Sequence, residues 1–218
     1  SDGIILLGYG DYQLYRAKLE HLVEMDTKFV RWGSVADDNI GLTVGSDNIG
    51  AGVQAGEHFI EIGRKSIAFL GDASNHAPEF QDRYAGLCRA MTAAGLTPDP
   101  RLQQPAVSSE QSGYEAARAL LATGIPFDAL FAASDLIAIG AMRALVEAGL
   151  ALPRDVALIG FDDIPAASLT SPTLTTVMQD LKGAGELLVD ALLGRIDGRP
   201  AGRCILPTRL IRRQSTSP

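Results

Sequence analysis

The sequence has few cysteines and no long apolar runs. Its two cysteines, Cys88 and Cys204, lie far apart and lack the spacing of metal ligands, so a reducing compartment is permitted. No apolar run approaches the roughly 18 residues that span a bilayer. With 218 residues, 46% of them hydrophobic, the chain can nevertheless bury a substantial core, either as one large domain or as two small lobes.

Positive charge is also scarce. The chain carries 19 Lys and Arg against 26 Asp and Glu, a formal net charge of −7. A net negative charge is unfavourable for binding a polyanion such as DNA. Arg209, Arg212 and Arg213 near the C-terminus are interpreted as a solvated strand edge rather than a nucleic-acid patch. Any contact with DNA is therefore expected to lie outside this sequence.

Motifs of phosphate-cofactor and hydrolytic enzymes are missing. The segment "GYG" at 8–10 lacks the third glycine of a dinucleotide fingerprint, and neither GxxxxGK[ST] nor GxSxG occurs. Ser134, His76 and Asp162 could be combined into a Ser-His-Asp trio, but any α/β chain offers such a trio by chance. We therefore expect no catalytic residue, no metal site and no cofactor.

Short apolar runs alternate with amphipathic stretches of helical length. The runs lack apolar/polar alternation, which is typical of strands buried on both faces of a parallel sheet. The predicted strands are residues 3–7, 28–31, 66–70, 129–132 and 156–161. Strands that alternate with helices predict an α/β fold with mostly parallel strands and right-handed crossovers.

Four helices are predicted from apolar residues at helical spacing. Asp47 and Asp180 are the predicted N-caps of the first and last of them. Gly63, Gly95 and Gly149 are predicted to end the first three helices.

Two adjacent carboxylates, Asp162 and Asp163, follow the apolar run "VALIGF". In open parallel sheets, ligands bind beyond the carboxyl ends of the strands. Asp163 precedes the short helical segment "IPAASL" and is predicted to cap it, which leaves Asp162 free to point into a cleft.

Other polar residues also follow predicted strands or are expected to come near them. Ser134 either contacts a ligand or caps the helix that begins at Asp135; both alternatives remain open. With Arg83 and Gln179, it would surround Asp162 with the fixed donors and acceptors that suit a hydroxyl-rich ligand.

Three further segments complete a resemblance. They are "VGSDNIGAGVQAGEHFIEIGRKSIAFLGD", "RYAGLCRAM" and "LPTRLIRRQST", which accompany the long segment "FAASDLIAIGAMRALVEAGLALPRDVALIGFDDIPAASLTSPTLTTVMQD". Together they resemble the effector-binding region of the lactose-repressor family of bacterial transcription regulators, in order and over nearly the whole chain. The resemblance implies a fold like that of the periplasmic sugar-binding proteins, with two α/β lobes, three crossovers and a ligand in the cleft between the lobes.

The resemblance also assigns roles to individual residues. Arg83 in "RYAG" matches the family arginine that hydrogen-bonds the effector, and Asp162 in "GFDD" matches the carboxylate that receives ligand hydroxyls or ring nitrogens. Gln179 in "MQD" lies at a crossover that lines the cleft. Ser134 stands where many members have Asn, which shortens one donor. Ser108 stands where several members carry an aromatic residue that packs on the ligand.

Two charged residues complete the implied site. Glu79 falls at another pocket position, and Arg31 in "FVRWG" occupies a place where an acidic residue often faces the ligand. Arg31 together with Arg83 favours an anionic ligand such as a sugar acid, unless Glu79 pairs with one of them and restores neutrality. On the sequence alone, a neutral sugar is slightly preferred.

The lobes implied by the resemblance are residues 1–46 plus 179–206 and residues 47–178 plus 207–218. In the family, this region is preceded by a helix-turn-helix, a hinge helix and the first strands and helices of the N-terminal lobe. The sequence begins "SDGIILLG", without Met. We therefore expect a fragment of a longer protein whose N-terminal lobe is incomplete.

The expected function is that of a non-enzymatic sensor of a sugar or related small effector, in a cytoplasmic, homodimeric regulator that contacts DNA through the missing helix-turn-helix. The ligand would act by favouring one orientation of the lobes. The alternative is a periplasmic solute-binding protein for sugar uptake, which shares the fold and the cleft. No membrane partner is expected.

Overall fold

The structure is a computed structural model that describes residues 2–8, 11–36, 38–199 and 204–217. Tyr9 and Gly10 of the "GYG" segment lie outside these ranges, as do residues 200–203 of the predicted N-terminal lobe. The α-helices within the ranges are α1 (Tyr12–Glu24), α2 (Asn48–Glu61), α3 (Pro78–Ala93), α4 (Glu110–Ala122), α5 (Asp135–Glu147) and α6 (Leu181–Ile196). The strands are β1 (Ile4–Leu7), β2 (Phe29–Trp32), β3 (Leu42–Ser46), β4 (Ile67–Leu70), β5 (Gln103–Gln104), β6 (Ala129–Ala132), β7 (Ala157–Asp162), β8 (Thr175–Gln179), β9 (Cys204–Leu206) and β10 (Thr208–Ile211). Single 3-10 turns occupy Pro100–Leu102 and Pro165–Ser168.

The strands form two separate sheets. The four-stranded sheet has the order β1-β2-β3-β9, and its strands all run parallel. The six-stranded sheet has the order β10-β8-β7-β6-β4-β5, and only β10 runs antiparallel to its neighbour. The predicted α/β fold with mostly parallel strands is confirmed.

The described chain passes between the two sheets three times. It leaves the four-stranded sheet after β3, returns to it through α6, which packs on β1, β2, β3 and β9, and leaves it again between β9 and β10. Because strand ends from both sheets meet at these crossings, residues that are far apart in the sequence are brought together there.

Most of the core belongs to the six-stranded sheet. Every residue of β4 and β6 is buried, as is β7 up to Phe161, so the prediction of strands covered on both faces is confirmed there. The prediction is wrong for β1. Within the described ranges β1 pairs only with β2, and its Ile5 and Leu7 side chains are exposed. The apolar run of β1 therefore did not distinguish a strand that is covered on one face from a strand that is covered on both.

The predicted helix boundaries are also confirmed. The Asp47 carboxylate accepts a 2.8 Å hydrogen bond from the Gly50 backbone N–H, and the Asp180 carboxylate accepts one of 2.9 Å from Gly183. Beyond the end of α5, Gly149 has a φ of 81°, a conformation that costs glycine little because it has no Cβ.

None of the helices in the described ranges is both long and apolar enough to span a membrane.

Candidate functional site

A chain of hydrogen bonds joins the two sheets at the carboxyl ends of three strands. Gln179, the last residue of β8, donates from Nε2 to Asp162 Oδ1 over 2.7 Å. The Oε1 atom of Gln179 accepts a 2.9 Å hydrogen bond from the hydroxyl of Ser46, the last residue of β3. Ser46 belongs to the four-stranded sheet, whereas the other two residues belong to the six-stranded sheet. The chain thus connects the two halves of the molecule through one amide.

Asp162 is a largely buried carboxylate in an uncommon backbone conformation. Its φ of 116° lies in the region that L-residues rarely adopt. Burial raises the pKa of Asp162 to about 6, while the positive charge of Arg83 and the hydrogen bond from Gln179 act in the opposite direction. A strained backbone that carries a desolvated carboxylate at a strand end is typical of a binding site.

Arg83 extends from α3 towards the same strand ends. Its Nε donates to Asn48 Oδ1 over 2.9 Å and its Nη1 to the Ala133 carbonyl oxygen over 2.5 Å. The guanidinium carbon lies 3.4 Å from the centroid of the Phe161 ring, a stacked arrangement that fixes its plane. Burial lowers the pKa of Arg83 to about 10, and the charge of Asp162 opposes this shift. Arg83 and Asp162 are therefore brought together as predicted.

Ser134 and Ser108 form a pair beside Arg83. The hydroxyl of Ser134 accepts a 3.3 Å hydrogen bond from the Ile137 backbone N–H, which makes Ser134 the N-cap of α5. The capping alternative for Ser134 is thus confirmed. Ser108 donates from its hydroxyl to Ser134 Oγ over 2.9 Å. Ser134 remains next to the site because Ala133, the residue before it, accepts from Arg83.

Arg31 and Glu79 approach each other from the two sheets without forming an ion pair. Glu79 Oε1 accepts a 3.1 Å hydrogen bond from the Ser34 backbone N–H. A β-carbon added to Gly33 would lie 3.0 Å from Glu79 Oε1 and 3.1 Å from Arg31 Nη1. The Arg31 guanidinium carbon also lies 4.9 Å from the centroid of the Tyr12 ring. Both residues thus flank a narrow gap next to Gly33.

The prediction that Asp163 caps the turn after β7 is wrong. The N-cap of the 3-10 turn is Ile164, and no side chain caps it. Asp163 instead accepts a 2.6 Å hydrogen bond from Arg213 in a partly buried ion pair. The Ile164 backbone N–H donates to Asp135 Oδ2 over 2.9 Å. A long-range cation therefore holds Asp163, and the neighbouring backbone donor has a different partner.

Asp135 is a buried carboxylate that the sequence analysis did not assign to the site. It is fully buried below β7 and β8, and its Oδ1 accepts a 2.6 Å hydrogen bond from Thr176 Oγ1. Burial raises the pKa of Asp135 to about 7, and the hydrogen bonds from Thr176 and Ile164 lower it. Its place next to Ser134 in "ASD" offered a weak signal, since a carboxylate in the short loop after a strand, at the start of a helix, is a common site residue.

Ser46 and Asn48 were also missed. Each makes one hydrogen bond to a predicted site residue, Ser46 to Gln179 and Asn48 to Arg83. Both flank the N-cap Asp47, and a capping pattern does not indicate where the neighbouring side chains point. The position of Asn48 at the start of a helix near a crossover was the available signal.

A catalytic trio does not assemble from the residues considered for one. His76 Nδ1 lies 2.8 Å from Asp11 Oδ1, while the Ser134 hydroxyl is engaged by Ser108 and Ile137. In the part of the chain that the structure describes, no group of three or more His, Cys, Asp and Glu side chains is arranged to hold a metal ion.

A cavity of about 640 Å³ adjoins this region on the side of the four-stranded sheet. It lies between the carboxyl end of β1 and helix α1, and its wall includes Arg31 and Tyr15. Burial raises the pKa of Tyr15, and the negative charge of Glu79 acts in the same direction. Arg31, which lines the cavity, and Glu79 both lie next to Gly33, so the cavity adjoins the Glu79 side of the site.

Comparison with known proteins gives consistent matches. The family model described as "Periplasmic binding protein-like domain" matches residues 57–216. The HTH-type transcriptional regulator RegA of Clostridium saccharobutylicum is 33% identical over 217 residues, which cover 99% of this chain and 64% of that protein. The lactose operon repressor of Rhizobium radiobacter is 42% identical over 106 residues, 48% of this chain and 94% of the relative.

Solved structures agree with these matches. The transcriptional regulator CelR–cellobiose complex superimposes with a TM-score of 0.89 at 32% identity, covering 98% of this chain and 65% of that one. The chain thus spans less than two thirds of the length of several relatives. The predicted fold and resemblance are confirmed: the chain belongs to the periplasmic binding protein-like domain family, and its relatives are transcriptional regulators of the lactose-repressor type.

Proposed function

We propose that this chain is the ligand-sensing domain of a bacterial transcriptional regulator and binds a sugar or related small polar molecule between its two sheets. The observation that carries the proposal is the chain Ser46–Gln179–Asp162, in which a buried carboxylate at a strand end is tied to the opposite sheet. Carboxylate, amide and guanidinium groups at one place bind neighbouring hydroxyl groups well. The relative with cellobiose in its complex supports this class of ligand.

The two sheets support a division into lobes. We propose that residues 1–46 plus 179–206 form one lobe and residues 47–178 plus 207–218 the other. In this division Gln179 stands at a crossing, since it ends β8 and precedes α6. A ligand that contacts both lobes would stabilise one relative orientation, and only a difference in affinity between two orientations shifts their populations.

Ligand contacts are proposed for all seven predicted residues, in two groups. Arg83, Asp162 and Gln179 would hold hydroxyl groups at the strand ends, with Ser134 and Ser108 beside them. Arg31 and Glu79 would face the ligand from the region of Gly33. No covalent chemistry is proposed for any of them.

The oligomeric state and the DNA partner are part of the proposal. We propose a homodimer that uses the exposed apolar face of α6, where Val189, Leu193 and Ile196 follow one another at helical spacing. We assign DNA binding to a helix-turn-helix outside these 218 residues and the parent protein to the cytoplasm. Leu193→Glu should lower the molar mass in sedimentation equilibrium to that of a monomer. An unchanged mass would remove this face from the proposal.

A thermal-shift screen with sugars, sugar acids and nucleosides tests the sensing function, because a ligand that binds only the folded state raises the Tm by mass action. Asp162→Asn should abolish the shift given by the best ligand. The matched control is Asp190→Asn on the exposed side of α6, which should leave the shift unchanged. If Asp162→Asn retains the full shift, the proposed site is wrong. Chemical conversion of the ligand during incubation would favour an enzyme instead.

A periplasmic solute-binding protein remains the second candidate, because it shares the fold. The relatives described above are regulators, which favours the first candidate. A gel-shift assay with the full-length protein and its own promoter distinguishes the two, since a transport protein should not shift the DNA.

A further inference from the structure

Arg31 is a buried cation that forms no ion pair with any residue the structure describes. Its side chain is 4% exposed, and its Nε has no hydrogen-bond partner in the described ranges. Among the ion pairs that these residues form, none includes Arg31. A buried charge is costly unless a partner compensates for it. The face of the Tyr12 ring is the one attractive contact described for the guanidinium.

The nearest carboxylate does not supply the missing partner. Glu79 Oε1 accepts a hydrogen bond from the backbone N–H of Ser34, and both Glu79 Oε1 and Arg31 Nη1 lie next to Gly33 without forming an ion pair. The sequence left open whether Glu79 neutralises Arg31, and the geometry shows that it does not pair with it. Among the residues that the structure describes, none accepts a hydrogen bond from Arg31 Nε.

The cavity wall next to Arg31 carries no negative charge. Ten residues line the adjoining cavity, and the titratable ones are Tyr15, Lys18, His21 and Arg31, with no carboxylate among them. On the other side of Glu79, Arg83 is a second arginine that is more than nine-tenths buried and forms no ion pair in the part of the chain described. Arg83 interacts electrostatically with several carboxylates, Asp162 first, whereas Arg31 has no ion-pair partner in the described ranges.

From this arrangement we infer that the effector is a hydroxylated molecule that carries an anionic oxygen group, a carboxylate or a phosphate, and that Arg31 binds this group. The inference rests on the proposed function and narrows its ligand class. A guanidinium is suited to the task because its planar fork of N–H donors matches carboxylate and phosphate oxygens in pairs. Asp162 and Gln179 would bind the hydroxyl groups of the same molecule.

Isothermal titration calorimetry on the full-length protein tests the inference. The probes are matched sets, in which glucose, galactose and ribose are each compared with their aldonate, their uronate where one exists, and their terminal phosphate ester. The variants are Arg31→Gln, which removes the charge, and Arg31→Lys, which retains it. Arg143→Gln serves as the matched control, because Arg143 is an exposed arginine of α5 that pairs with Glu147.

We expect one anionic member of a set to bind more tightly than its neutral parent, and Arg31→Gln to weaken that ligand about 10- to 100-fold while leaving the neutral parent unchanged. Arg31→Lys should restore part of the affinity, and Arg143→Gln should have no effect. Tight binding of a sugar acid identifies the group as a carboxylate; tight binding of the ester identifies it as a phosphate. Because Arg31→Gln removes an unpaired buried charge, we expect its Tm to be no lower than that of the parent.

Three results would overturn the inference. The first is a neutral sugar that binds as tightly as its anionic forms, and the second is no binding by any anionic probe. The third is an unchanged affinity for the anionic ligand in Arg31→Gln. In each case the sensing function stands if Asp162→Asn still abolishes the binding of a neutral ligand. If Asp162→Asn affects no ligand, the proposed site itself fails, irrespective of Arg31.

Discussion

The Gln179 amide donates to Asp162 Oδ1 over 2.7 Å and accepts from the Ser46 hydroxyl over 2.9 Å, so one side chain satisfies an acceptor and a donor at once. The amide group presents a donor and an acceptor in one plane. The two hydrogen bonds also fix the orientation of the amide, since a flipped Gln179 would direct two acceptors at each other. Gln179 is therefore a link between the sheets as well as a proposed ligand contact.

The first prediction concerns Gln179→Glu. The new carboxylate would face Asp162 at hydrogen-bond distance, and the repulsion should raise the pKa of Asp162 further and break the link to it. We expect the affinity for a cleft ligand to fall at least about 10-fold at neutral pH, measured by calorimetry. Ser46→Ala is the matched control because it removes the other hydrogen bond of Gln179 but adds no charge. Equal losses in the two variants would contradict the electrostatic explanation.

The second prediction concerns pH. Burial raises the pKa of Asp162 to about 6, and its ionised form is the one that accepts ligand hydroxyls, so affinity should be complete above that pKa and fall as pH drops through it. With a ligand that does not itself titrate, affinity near pH 5 should be about 10-fold lower than near pH 8. The measurement is calorimetry across this range.

Asp162→Asn is the control for the pH dependence. It should bind weakly and show no change across the same range. Asp135 also has a pKa raised by burial, to about 7, and it interacts with Asp162. If Asp162→Asn keeps the pH dependence of the parent, Asp135 is the titrating group and the assignment to Asp162 is wrong.

The elements that local pattern predicts well are the buried ones. The strands β4, β6 and β7 were identified because they are covered on both faces, so each is a continuous apolar run bounded by polar residues. The strands β3 and β8 were not identified. They contain Gly45 and the Thr175–Thr176 pair, and each is covered at one edge by a strand from the C-terminal part of the chain, β9 for β3 and β10 for β8.

The candidate site was predictable only in part for a related reason. Asp162 was located because it ends a recognisable strand, but its partner Gln179 bonds in turn to Ser46, which lies 133 positions before Gln179 in the sequence. No spacing rule connects such residues. For Asp163, local sequence predicted an N-cap. The structure instead pairs it with Arg213, 50 positions away. A long-range ion pair overrode the local preference.

The third prediction separates the capping role of Ser134 from the hydrogen bond that Ser134 accepts from Ser108. Ser134→Ala removes the N-cap hydrogen bond to Ile137 and should lower the free energy of unfolding by about 1 kcal/mol, measured by urea denaturation. Ser108→Ala removes an exposed hydroxyl that caps nothing and should leave stability within about 0.5 kcal/mol of the parent. Comparable destabilisation by both would show that the pair, rather than the cap, stabilises α5.

The fourth prediction tests the close packing of α4 on α5, which carries the loop of Ser108 and the cap Ser134 to the site. A β-carbon at Gly140 would clash with the backbone carbonyl of Glu110, and a backbone clash is not relieved by a rotamer change. Gly140→Ala should therefore lower the free energy of unfolding by about 1–3 kcal/mol in urea denaturation, despite the higher helix propensity of alanine. Gly185→Ala in α6 is the matched control, because its β-carbon would meet no atom within 4 Å, and it should raise stability by about 0.5–1 kcal/mol. A stabilising Gly140→Ala would mean that the two helices pack further apart than described.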